Sequence, residues 1–304
     1  MHKKSIASAC LFAMSVSFVS LPATAQEATL QNAAFNEEVG AQERISLSGK
    51  LRMLSQRIAS ASCHLVEGVD IEAARTLLAN DSTEFDKILN ALVNGDAELN
   101  VIGAEERRKT LVKIASVKEQ WEPMKAAVYA LKDQRDIEAN LETVILSNSE
   151  LLNRAAVLVT EIVGQYSNPA EMVQADSMVL DIAGRQRMLS QKISKESCML
   201  ASHHERDDTR SNLESSIKVF EASLAALRHG LPAAGVKAPP TAEISAGLEV
   251  VQKDWLEVKP TLDEILAGTE VSVAKEEEKF HNLNKTMADM NKVVGMYVDF
   301  AKKK

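Results

Sequence analysis

The sequence predicts an all-α protein of two tandem up-down-up-down four-helix bundles related by a pseudo-two-fold axis. Three observations predict this fold. The chain resembles itself at an offset of 135 residues, which indicates two copies of one structural unit. It is rich in helix formers such as Ala, Leu, Glu and Lys, and only 4% of its residues are aromatic. Turn-forming residues divide each repeat into four long segments, and short loops between long helices require antiparallel packing.

The repeat is clearest where residues 45–65 align with residues 180–200, because ten of the twenty-one positions are identical. The similarity continues beyond this segment, and Trp121 meets Trp255 at an offset of 134. We therefore expect two homologous domains, at residues 30–167 and 168–304, with the two tryptophans in equivalent core positions.

Each repeat has room for four helices, separated by breaks at turn residues such as Gly68, Gly95 and Gly268. In the first repeat we expect helices near 35–66, 70–94, 104–133 and 137–165. In the second repeat we expect them near 169–204, 208–229, 241–267 and 271–302. Asn168 and Pro169 suit a helix cap and a first helical turn, so a new helix should begin at the junction.

The first 25 residues have the pattern of a secretory signal peptide. Two lysines precede an apolar run, and Ala23-Thr24-Ala25 offers a cleavage site. The rest of the chain holds no apolar run long enough for a membrane helix, so we expect a periplasmic protein without a direct membrane span. Because no further domain follows the second repeat, we expect a sensor of this kind to report through another protein.

Charge excludes some partners. The whole chain carries a net charge of −8, and removal of the two signal-peptide lysines leaves −10. Nucleic acid and anionic membrane surfaces are therefore not expected partners.

The first helix carries two stripes at helical spacing. The apolar stripe, expected to face its own bundle, comprises Leu47, Leu51, Leu54, Ile58, Ala61 and Leu65. The opposite stripe comprises Ile45, Gly49, Arg52, Gln56, Ala59 and Cys63, and the second repeat matches it with Leu180, Gly184, Arg187, Gln191, Ser194 and Cys198. In the second repeat Gln186 and Glu196 interrupt the apolar stripe, which indicates either a different helix phase or a degenerate second site.

Small residues at helical spacing allow two helices to approach closely, and the simplest partner for each stripe is its copy. Arg52 and Arg187 would then face one another, and two guanidinium groups in a partly dry seam repel. A small planar anion between them would replace repulsion by charge-assisted hydrogen bonds. Gly49 and Gly184 would leave room for that anion, and Gln56 and Gln191 could supply amide donors.

These residues resemble the periplasmic sensory domain shared by PilJ-type chemotaxis transducers and by nitrate/nitrite sensor kinases of the NarX/NarQ type. The resemblance is carried by Gly49-x-x-Arg52-Met53-x-Ser55-x-Arg57 and by Gly184-x-x-Arg187-Met188-x-Ser190-x-Lys192. In that family the first helices of two subunits pair in parallel, and the nitrate sensors hold one anion between two copies of the motif arginine.

The resemblance implies that Arg52 and Arg187 bind an anion, with nitrate or nitrite favoured. The nitrate sensors read Arg-Met-Gln-Ser-Tyr-Arg, whereas this chain reads Arg-Met-Leu-Ser-Gln-Arg, which is closer to the PilJ type. A second hypothesis is an interaction module without a small ligand, whose small-residue stripe docks a helix of a membrane receptor or of a pilus or chemotaxis component.

Cys63 and Cys198 lie in the facing stripes, and two alternatives are open for them: a disulfide between the domains, or a pair of small buried thiols. One Glu-x-x-His, Glu278 to His281, does not suffice for a di-iron site, so we expect no metal and no cofactor. No nucleophile and base pair stands out, and we expect no enzyme.

Overall fold

The computed structural model describes residues 40–166, 174–204 and 206–302, and within them the protein is all-α, as predicted. The first four helices are α1 (Ala41–Val66), α2 (Ile71–Asn94), α3 (Arg108–Lys132) and α4 (Ile137–Tyr166). The next four are α5 (Gln174–Ala201), α6 (Thr209–His229), α7 (Ala242–Leu266) and α8 (Val273–Lys302). The predicted signal peptide, the predicted helix start near residue 35 and the junction at Asn168 lie outside the described residues.

Each set of four helices forms an up-down-up-down bundle in which each helix contacts the next and the fourth contacts the first. The bundles meet along α1 and α5, which pack against each other. Buried apolar side chains form one core cluster in each bundle. Within the described ranges, none of the eight helices is at once long and apolar enough to cross a lipid bilayer.

The two repeats agree in detail. Trp121 packs on Phe85 with ring centroids 4.5 Å apart, and Trp255 packs on Phe220 at 4.4 Å. Each indole N–H donates to the carboxylate that follows its phenylalanine, at 2.8 Å for Asp86 and 3.1 Å for Glu221. The prediction of equivalent tryptophan positions is therefore confirmed.

The loops after α2 and α6 also correspond. Gly95 and Gly230 end these helices with φ of 80° and 77°, where a side chain would be strained. A Cβ atom at Gly95 would lie 2.8 Å from the carbonyl oxygen of Gly103, so the close approach of two backbones also requires glycine there. Each loop then forms an isolated antiparallel bridge, Asp96 with Val101 and Leu231 with Val236.

The prediction that the third helix begins near residue 104 was wrong, since α3 begins at Arg108. The segment before it is held in another conformation because the backbone N–H of Glu105 donates to the carbonyl of Val93 at 2.8 Å. The Glu105 side chain is buried and accepts a 2.6 Å hydrogen bond from the Tyr166 hydroxyl. These contacts tie the segment across the end of the bundle.

The polar residues in the second apolar stripe do not change the helix phase, because both are buried. Gln186 donates from Nε2 to the carbonyl of Phe220 at 3.1 Å. Glu196 accepts from the Ser216 hydroxyl at 2.9 Å and pairs with Lys192 at 3.4 Å.

In the first bundle a different pair of residues forms the corresponding buried polar contact. There Arg57 on α1 pairs with the buried Asp81 on α2. Ser216 occupies the position of Asp81 in the second repeat, so the carboxylate has moved from the second helix to the first helix of the bundle. Burial raises the pKa of both carboxylates, Asp81 and Glu196.

Candidate functional site

The candidate site lies in the seam between α1 and α5, where small side chains allow close packing. The Ser60 hydroxyl donates to the Ser194 hydroxyl at 2.7 Å, and a disulfide joins Cys63 to Cys198 with 6.3 Å between their Cα atoms. The later residue of α1 contacts the later residue of α5, so the two helices run parallel. The motif residues of both repeats therefore lie at the same end of one seam.

Arg52 is 9% exposed and reaches from α1 toward α5. One of its terminal nitrogens lies 3.5 Å from the carboxylate of Asp181, which is a long ion pair. Its Nε atom is buried and has no hydrogen-bond partner among the described residues. Burial lowers the pKa of Arg52, and the carboxylate of Asp181 partly opposes this effect.

Arg187 is the counterpart on α5 and is 5% exposed. Its Nη1 donates to the side-chain oxygen of Asn291 on α8 at 2.5 Å, while its buried Nε has no partner in the described part of the chain. Burial and the positive charge of Arg52 lower its pKa to about 10, so it remains protonated at neutral pH. The positive charge of Arg52 therefore disfavours the charged form of Arg187, which means that the two guanidinium groups repel each other.

Gly49 and Gly184 lie one turn before the two arginines and are buried beneath them. A Cβ atom at Gly49 would lie 3.8 Å from Nη2 of Arg52, and a Cβ atom at Gly184 would lie 3.8 Å from Nη2 of Arg187. Each guanidinium therefore folds back over the glycine of its own helix. The equality of the two distances shows that the motif adopts one local conformation in both repeats.

Gln56 and Gln191 are buried one turn beyond the arginines, but their amide groups have other partners. Nε2 of Gln56 donates to the Ser55 hydroxyl at 3.2 Å, and Nε2 of Gln191 donates to the carbonyl of Leu283 at 3.2 Å. The amide donors that the sequence offered for an anion are thus engaged within the bundles. An anion at the arginines would have to draw mainly on guanidinium donors.

Lys195 on α5 is a buried charge that the sequence did not predict. Its Nζ donates to the side-chain oxygen of Gln56 at 3.1 Å and to that of Asn148 on α4 at 3.0 Å. Burial lowers its pKa to about 8. The sequence did contain one indication of this position, since Lys195 replaces the Ser60 of the first repeat.

A second contact between the bundles lies beyond the disulfide. The His64 ring on α1 stacks on the Phe280 ring of α8 with centroids 4.1 Å apart, and His281 pairs with Asp70 at 2.6 Å. The lone Glu-x-x-His segment is therefore part of this contact. Among the side chains that the structure places, no group of three or more His, Cys, Asp or Glu could hold a metal ion.

The arrangement at the arginines suits an anion chemically. Two buried guanidinium groups retain N–H donors that the described protein atoms do not use, and charge-assisted hydrogen bonds to such donors are strong. Arg cannot lose its proton to relieve the repulsion between the two groups. The site thus combines excess positive charge, free donors and small neighbouring residues.

Comparison with known protein families gives one family. Residues 33–145 and 170–279, more than half of the chain, match the PilJ family, described as "Type IV pili methyl-accepting chemotaxis transducer N-term". A search of curated proteins found no match. One matched segment falls in each repeat, and each includes one copy of the arginine motif. The chain therefore belongs to the PilJ family and is a helical sensory or interaction module of that type.

Proposed function

We propose that this protein is a secreted, non-enzymatic periplasmic sensor that binds a small anion between Arg52 and Arg187, with nitrate or nitrite favoured. Residues 1–25 act in this proposal as the cleaved signal peptide. The ligand links the first helices of the two repeats within one chain.

The observation that carries the proposal is the pair of buried Nε atoms, one on each arginine, without partners in the described ranges. An unsatisfied buried donor is costly, and the cost rises when the donor belongs to a charged group. One anion that accepts hydrogen bonds from both guanidinium groups removes this cost and screens the repulsion between them. Equivalent donors on both repeats favour one shared ligand over two separate ligands.

A small planar oxyanion fits the chemistry of these donors. Guanidinium presents its N–H groups in a plane, so planar oxyanions can accept paired hydrogen bonds from it. Gly49 and Gly184 have no side chain beside the terminal nitrogens, which leaves the guanidinium groups free to turn toward a ligand. Binding would then couple α1 to α5, and each of these helices is also a core element of its own bundle.

In this proposal, ligand binding changes the contact between α1 and α5, and a membrane-bound receptor or sensor detects that change. The alternative, in which the small-residue stripe itself docks a partner helix, meets a physical obstacle. In the folded protein the stripe of α1 is covered by α5, and the disulfide between Cys63 and Cys198 holds the two helices together. A partner helix would have to separate the bundles to reach it.

Thermal melting over a panel of sodium salts at constant ionic strength tests the proposal. Nitrate, nitrite and other small monovalent anions should raise the melting temperature of the wild-type protein, since a ligand that binds only the folded state stabilises it. Arg52→Ala and Arg187→Ala should each abolish the rise. Arg154→Ala, which removes an arginine on α4 that pairs with Glu119 and Glu150, is the matched control and should keep it. Identical melting in every salt would contradict the proposal.

A further inference from the structure

The two arginines have similar burial but different acidic neighbours. Arg52 has Asp181, whose carboxylate oxygen lies 3.5 Å from its Nη2. Arg187 forms no ion pair with a carboxylate among the described residues, and it donates instead to the neutral side chain of Asn291. Around the motif arginines the seam therefore holds two buried guanidinium groups and one carboxylate.

Asp181 lies at the rim of the seam, six residues before Arg187 on α5. Its side chain is 40% exposed, and its second oxygen pairs with Arg185 at 2.7 Å. Arg185 is 59% exposed, so solvent screens its charge more than it screens the buried arginines. Asp181 thus acts on the site mainly as one negative charge next to Arg52.

The first repeat shows what the same position looks like without a carboxylate. Ser46 on α1 corresponds to Asp181 at the repeat offset, and its side chain is exposed. Because the repeats are related by a pseudo-two-fold axis, we expect Ser46 on the Arg187 side of the rim, as Asp181 lies on the Arg52 side. The protein therefore contains an internal comparison: one rim position with a carboxylate and one with a neutral hydroxyl.

We propose that Asp181 sets the charge class of the ligand, so that the seam binds a monovalent anion and discriminates against a divalent one. The inference rests on the proposed anion site. The two buried motif arginines and the one carboxylate leave one excess positive charge, which a single monovalent anion neutralises. The charge of Arg185 also lowers the pKa of Arg52, but Arg185 is 59% exposed and its charge is screened by solvent. A divalent anion brings a second negative charge into the vicinity of Asp181, and the repulsion between them scales with that charge. Asp181 also competes with any anion for the terminal nitrogens of Arg52.

The variant Asp181→Ser places the residue of the first repeat at this position. We expect it to bind nitrate about tenfold more tightly and sulfate about a hundredfold more tightly, because the removed repulsion doubles for a divalent ion. The ratio of sulfate to nitrate affinity should thus rise by about tenfold. Asp181→Asn, which keeps the shape of the side chain, should act in the same direction.

The reciprocal variant Ser46→Asp adds a carboxylate on the Arg187 side. It should weaken nitrate binding about tenfold and sulfate binding more, since two carboxylates would then balance the charges of the two motif arginines. Glu214→Ser removes an exposed carboxylate on α6 and serves as the charge-matched control. It should leave both affinities unchanged.

Calorimetric titration of sodium nitrate and sodium sulfate at constant ionic strength measures these ratios. One outcome is that the wild-type protein binds nitrate but Asp181→Ser has the same ratio of sulfate to nitrate affinity as the wild type. That outcome would overturn the role of Asp181 and leave the anion site intact. Tighter binding of sulfate than of nitrate by the wild-type protein would also overturn it. Failure of the wild-type protein and of Asp181→Ser to bind either anion would overturn the anion site and this inference together.

Discussion

Cys63 and Cys198, which occupy the same position in the two repeats, form a disulfide across the seam with 6.3 Å between their Cα atoms. The bond fixes the parallel register of α1 and α5. It lies eleven residues beyond Arg52 and Arg187, so both arginines are held in the same register by a covalent link. The sequence alone allowed either a disulfide or two free thiols for this pair, because it does not give the distance between the two stripes.

Removal of the disulfide should loosen the seam without unfolding the bundles. Disulfides typically stabilise proteins by about 2–4 kcal/mol. Reduction of the wild-type protein should lower its free energy of unfolding by that amount, and Cys63→Ser should show the lower value with or without reductant. Urea denaturation with and without dithiothreitol measures the difference. Equal stability in both conditions would contradict the role of the bond.

Bulk at Gly49 should block anion binding. A Cβ atom would lie 3.8 Å from Nη2 of Arg52, so Gly49→Ala fits and should stabilise α1 by about 1 kcal/mol. Gly49→Leu extends into the space of the guanidinium and should abolish the nitrate-dependent rise in melting temperature. Gly164→Leu is the control, since a Cβ atom at that exposed helical glycine meets nothing within 4 Å. A normal response of Gly49→Leu to nitrate would contradict the assignment of the glycine.

Lys195 should make the protein more stable as the pH rises from about 8 toward 10. Its pKa is lowered from 10.5 to about 8, so in this range the unfolded state binds a proton that the folded state has released. The free energy of unfolding should therefore rise by about 1.4 kcal/mol per pH unit through this residue. Lys195→Met removes the charge and keeps most of the volume, and its stability curve should lack the rise. Parallel curves for the two proteins would contradict this effect.

His64 should destabilise the protein in mild acid. Burial and the charge of Lys279 lower its pKa from 6.5 to about 3, and its Nε2 has no partner among the described atoms. Below pH 6.5 the unfolded state takes up a proton that the folded state excludes, so stability falls as the pH falls. His64→Asn should be less stable at neutral pH, since it loses the contact with Phe280, but its pH dependence should be flatter. Denaturation curves between pH 6.5 and 5 compare the two slopes.

The fold could be predicted from the sequence because the residues that indicate core positions and helix ends occur in both repeats. Trp121 and Trp255 match, and so do the glycines that end α2 and α6. A helix start at residue 104 could not be excluded, since the hydrogen bond from Glu105 to Val93 depends on the packed end of the bundle. The sequence also could not predict that the second bundle replaces the pair of Arg57 and Asp81. Its counterpart is formed by Lys192, Glu196 and Ser216, and in both bundles the residues lie on two different helices.

The candidate site could be predicted in part. The helical spacing of Gly49, Arg52 and Cys63 indicates one stripe, and duplication indicates where that stripe packs. The orientation of Gln56 could not be predicted, since it depends on Lys195 from the other repeat. The proximity of Asp181 to Arg52 likewise depends on how α5 packs against α1, because the two residues lie on different helices.

A crystal structure determined at saturating nitrate is the most direct measurement of the central claim. We predict planar density in the seam within hydrogen-bonding distance of both Arg52 and Arg187, with at least one Nε atom among the donors. The Arg52 side chain should turn away from Asp181 to bind it. Seam density unchanged by nitrate, with Arg52 still beside Asp181, would contradict the claim that these two arginines form one anion site.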